Sequence, residues 1–76
     1  MNLHGKADQG LAVASDLIIA RLGEMLVSKG ILSAAEASQV IEAAREDALG
    51  LQAPETRAQA AKVIEQVGQM WARAEG

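Results

Sequence analysis

Apolar positions along this 76-residue chain recur at helical spacing in three stretches, and the breaks between them carry glycine or proline. The second stretch has the clearest start. Ser33-Ala34-Ala35-Glu36 forms a capping box, in which the Ser hydroxyl takes one orphan amide and the Glu carboxylate reaches back to another. Ala37, Val40, Ile41, Ala44 and Ala48 then share a face, Glu42 and Glu46 lie opposite, and Gly50 is the natural stop. In the third stretch Pro54 suits a first helical turn, where its missing N–H is no loss. Ala60, Val63, Ile64, Val67, Met70, Trp71 and Ala74 make one stripe, with Lys62, Glu65, Gln66, Gln69 and Arg73 opposite.

The first stretch is patterned differently. Asp8 is a candidate N-cap, and Gly30 a candidate C′ residue, where only glycine accepts a positive φ cheaply. Leu11, Ser15, Ile18, Leu22 and Met25 form one seam with alternating steps of four and three. Val13, Leu17, Ala20 and Val27 form a second. At about 100° per residue the two seams face different ways, so this helix needs cover on two sides. Either it is the central helix of a monomeric bundle, or a second copy of the chain supplies the cover. Ala20 and Gly23 are small enough to allow a close helix approach.

The pattern therefore predicts an all-α, three-helix unit over about 8–29, 34–49 and 54–75, completed by homodimerisation. Residues 1–9 read as a flexible tail and 10–76 as one helical domain. Below about 70–80 residues a core seldom suffices without staples or oligomerisation. This chain has no Cys, and hence no disulfide, thiolate metal site or Cys nucleophile, so self-association is the remaining device. Val13, Leu17, Ala20 and Val27 are the expected self-association seam.

Composition narrows the function. Trp71 is the sole aromatic residue and Thr56 the sole Thr, which argues against strands. The formal net charge of −3 is concentrated in residues 31–50, where Glu36, Glu42, Glu46 and Asp47 face only Arg45. Residues 1–30 balance Lys6, Arg21 and Lys29 against Asp8, Asp16 and Glu24. No basic stripe is available to neutralise phosphates, which excludes nucleic acid as the expected partner. The most apolar run, Leu11 to Val27, is interrupted by Asp16, Arg21 and Glu24, so no membrane span is expected. The reading is a cytoplasmic protein without a secretory signal.

No catalytic constellation emerges. His4, the sole histidine, sits in the tail, far from the rigid neighbours that a base or metal ligand needs. Glu42, Glu46 and Asp47 read as a solvated face rather than a cation site, because carboxylates on one open helix side do not converge. Ser15, Ser28, Ser33 and Ser38 lack an activating partner in any recognisable pattern. Met70 and Trp71 read as core, with an interface anchor as the alternative. No enzyme, metal or cofactor is expected.

Residues 21–44 carry a family resemblance. Arg21-Leu22-Gly23-Glu24-Met25-Leu26-Val27-Ser28-Lys29-Gly30-Ile31-Leu32-Ser33, followed by a short helix, resembles one repeat in the N-terminal domains of type II secretion and type IV pilus assembly ATPases. Some of those domains bind cyclic di-GMP through two such motifs in tandem. The resemblance implies a ligand-contacting start at Arg21, Leu22 and Gly23, and a turn shaped by Leu26, Gly30 and Leu32. The family's Leu on the second helix is Ala37 here, its closing Gln is Ala44, and no second copy follows. The leading expectation is a non-enzymatic interaction or regulatory module that self-associates, with another protein as a further partner. The alternative is a cyclic-dinucleotide binding module using the Arg21–Gly30 hairpin.

Overall fold

The computed structural model describes residues 6–75, and they form three helices with no strand among them. These are α1 (Lys6–Ser28), α2 (Ala34–Leu49) and α3 (Pro54–Ala74). α1 begins inside the segment read as a tail, which places Asp8 within the helix rather than at its N-cap. Residues 1–5, His4 among them, lie outside the described residues.

Local chemistry sets the breaks. At the end of α1, Gly30 has φ 75°. Its N–H donates to the Val27 carbonyl, and the Ile31 N–H donates back to Leu26. This is the Schellman arrangement, and it requires the left-handed conformation that glycine adopts without a Cβ clash. At Ser33 both halves of the capping box are present: the Glu36 N–H donates to Ser33 Oγ at 3.1 Å, and the Ser33 N–H donates to Glu36 Oε1 at 2.9 Å. Gly50 also ends its helix, but with φ −79°, so no left-handed residue is needed there. Instead the Gly50 and Leu51 amides tighten onto the Asp47 and Ala48 carbonyls. The extended Ala53 precedes Pro54, as the proline ring demands. Arg57 reaches back from α3, and its Nη1 donates to the Leu51 carbonyl at 3.0 Å.

The capping box gives a direct prediction. Ser33→Ala should cost about 1 kcal/mol in chemical denaturation, the usual loss for an N-cap. The Glu36 carboxylate is held below its ordinary value, first by the Ser33 backbone N–H and then by the Ser33 hydroxyl. A folded-state value lower than the unfolded one stabilises the fold fully above the ordinary carboxylate range. That contribution fades as pH falls through the lowered value. The stability gap between the unmodified chain and Glu36→Gln should therefore narrow on acidification. A gap constant from neutral to strongly acid pH would show that the carboxylate charge contributes nothing.

Packing excludes the alternative in which α1 is the central helix of a monomeric bundle. α3, not α1, is central: both other helices pack along it, while α1 and α2 meet each other much less. α1 runs alongside α3 in the same direction, with Asp16 near Ala60 and Val63 and Ala20 at Trp71. α2 runs the opposite way, with Ala37 at Trp71 and Ala48 near Ala58 and Ala61. The α3 stripe read from the sequence, Ala60 to Ala74, is buried or half-buried throughout, and its polar side is exposed. Val27, Ala37 and Trp71 form the core, against which Leu32, Ile41, Val67, Met70 and Ala74 pack. Trp71 is therefore a core residue, 5% exposed. On α2 the apolar face is narrower than its pattern implies, since Val40 stays exposed. The radius of gyration, 13.6 Å, exceeds the roughly 11 Å of a compact domain of this length, consistent with an open arrangement.

Candidate functional site

α1 has two sides with different fates. Ala20, Gly23 and Val27 fall within about 60° of one another on the helix and turn toward α3. Trp71 lies against this side. Its indole N–H donates to the Ala20 carbonyl at 3.0 Å, a buried bond linking positions 51 residues apart. A Cβ at Gly23 would fall inside the indole ring's van der Waals envelope. The small residues do allow a close approach, and the visitor is a tryptophan from α3.

The opposite side of α1 is uncovered. Ile18, Leu22 and Met25 also fall within about 60° of one another, roughly half a turn from Ala20 and Val27. Leu17 and Ile19 flank them, and all five are more than half exposed. Val13 is exposed as well, but it shares the azimuth of Ala20 two turns earlier and does not belong to this face. Ser15 continues the same seam and is half-buried. The ionic groups bordering this face are in balance: Arg21 Nη1 bonds Glu24 Oε1 at 3.0 Å.

This corrects the expected self-association seam. Val13, Leu17, Ala20 and Val27 do not act together: Val13 and Leu17 are exposed, whereas Ala20 and Val27 are buried inside the chain. The reason is the position of α3, which takes the side holding the two smallest contacts and leaves the Ile18–Leu22–Met25 seam outside. The sequence displayed both seams with equal clarity. The signal for choosing between them was Gly23, whose missing side chain marks the side that receives a bulky partner.

The residues implicated by the family resemblance do not converge. Arg21 is exposed and paired with Glu24, Leu22 belongs to the outer apolar face, and Gly23 lies beneath Trp71 on the inner side. Two grooves between α2 and α3, lined by residues such as Ile41, Arg45, Ala48, Leu49, Ala61 and Glu65, and a third between Asp16 and the first half of α3, do not include Arg21, Leu22 or Gly23. Glu42 is paired with Arg45 on α2, while Glu46 and Asp47 remain exposed beside it. Among the described residues no group of three His, Asp or Glu side chains converges as a metal site would require. No helix among them is long and apolar enough to cross a membrane.

Fold and site together define a small all-α unit whose first helix carries an uncovered aliphatic face. No family model, curated protein or solved structure matches the chain.

Proposed function

We propose that this protein is a non-enzymatic interaction module that self-associates through the outer face of α1. The observation carrying this reading is the contiguous exposure of Leu17, Ile18, Ile19, Leu22 and Met25 on one helix. Soluble monomers seldom leave an aliphatic strip of this size in water. Burying such a side chain is worth about 1.5–3 kcal/mol at about 25 cal/mol per Å², which corresponds to about 100 Å² each. The five give about 500 Å² per protomer, so a pair would bury on the order of 1,000 Å², the floor for a specific interface.

Charge favours a second copy as the occupant. Arg21 and Glu24 neutralise each other beside the face, so two copies meet there without net repulsion. The acidic excess sits on α2, at Glu42, Glu46 and Asp47, where an identical face would be repelled. A membrane-surface helix would carry a predominantly basic polar side. α1 instead contains Lys6 and Arg21 against Asp8, Asp16 and Glu24. Nothing in the placement of Arg21, Leu22 and Gly23 favours the cyclic-dinucleotide reading.

Sedimentation of the unmodified protein tests the proposal. The expected result is a monomer–dimer equilibrium between micromolar and millimolar concentration. A single species near 7.9 kDa throughout that range would overturn it.

A further inference from the structure

We propose that the two α1 helices pair antiparallel about a two-fold axis near residue 20, with Ile18 opposite the partner's Leu22 and Ser15 opposite the partner's Met25. This rests on the self-association reading and goes beyond it by fixing orientation and register. The exposed seam supplies the geometry. Ser15, Ile18, Leu22 and Met25 are spaced three, four and three, the alternation by which one helix seats its side chains between those of another.

Only one orientation makes the layers fit. In the antiparallel register each layer sums to residue 40. The short Ser15 then meets the long Met25 at both ends, and two similar aliphatic side chains meet twice at the centre. The helices therefore stay evenly spaced. A parallel pair would set Ser15 against its own copy at one end and Met25 against its own copy at the other, making the seam thin and then thick. It would also bring the two exposed Lys29 side chains together and align the helix dipoles with like ends adjacent. In the antiparallel pair the Lys29 groups lie at opposite ends. The Arg21 side chains approach each other near the axis, each already compensated by its own Glu24. Because Ala20, Gly23 and Val27 face α3 on the far side of α1, and Ile18, Leu22 and Met25 are more than half exposed, neither of the other described helices obstructs the approach.

The chain has no cysteine, so introduced thiols are unique. Ser15→Cys and Met25→Cys would be prepared in the full chain, checked by sedimentation under reducing conditions, then oxidised singly and as an equimolar mixture. In the proposed register two copies of residue 25 are about 15 Å apart along the axis, beyond reach of a disulfide, which needs Cα atoms within about 7 Å. The expected result is a disulfide-linked heterodimer in the mixture and no linked species from Met25→Cys alone. Linking of Met25→Cys with itself would overturn the antiparallel orientation while leaving self-association intact. A dimer whose equimolar mixture does not link would overturn the register. An unmodified protein that sediments only as monomer would overturn the inference together with the reading on which it rests.

Discussion

Gly23→Ala should destabilise this protein severely, although the same change in an isolated helix would be favourable by about 1 kcal/mol. The added Cβ would overlap the Trp71 indole, a rigid ring already 5% exposed and hemmed in by the core. The ring has no flexible end to yield. It must leave its position, which breaks the Nε1–H bond to the Ala20 carbonyl and opens the core around Val27 and Ala37. Losing a buried aromatic from its site costs about 3–5 kcal/mol. A single core of this size rarely supplies more than about 3–5 kcal/mol in total. Most molecules should therefore unfold. Gly10→Ala is the control, because α1 offers open space there, and it should be neutral or stabilising by about 0.5–1 kcal/mol. Urea titrations followed by circular dichroism and Trp71 fluorescence measure both. Equal behaviour of the two variants would refute the Trp71–Gly23 contact.

Leu22→Glu and Val27→Glu should fail in opposite ways. Leu22 sits at the centre of the outer face and is exposed within the protomer, so its replacement leaves the intramolecular core untouched. In the dimer it removes two aliphatic contacts, worth about 1.5–3 kcal/mol each when fully buried, and brings two carboxylates together. At about 1.4 kcal/mol per factor of ten, dissociation should strengthen by on the order of 100-fold or more. Helicity should persist at concentrations where the variant is monomeric. Val27 is 7% exposed in the core, where an unpaired carboxylate has no partner, and Val27→Glu should abolish folding at any concentration. Sedimentation paired with far-UV circular dichroism separates the outcomes. A Leu22→Glu variant that dimerises as tightly as the unmodified chain would remove the outer face from the interface. A folded Val27→Glu variant would contradict its place in the core.

Local signals made the three helices readable without coordinates. Ser33 with Glu36, Gly30, and Pro54 act through bonds and backbone angles within a few residues, so their meaning does not depend on what the chain meets later. The α3 stripe was equally legible, because a single apolar side on an amphipathic helix leaves only one way to face inward. The start of α1 was less so: Asp8 looks like a cap, yet the helix begins at Lys6.

Local pattern therefore dictates the three elements, their ends apart from the start of α1, the inward face of α3, and the two apolar sides of α1. Which helix lies between the others, and which side of α1 is covered, depends on packing between distant segments. Those choices depend on volume at long range. Trp71 needs a flat site, Gly23 provides one 48 positions earlier in the chain, and hydrophobic periodicity counts apolar positions without weighing their size. Once the indole occupies that side, Ala20 and Val27 are enclosed with it. Ile18, Leu22 and Met25, no less apolar in the sequence, are left facing outward.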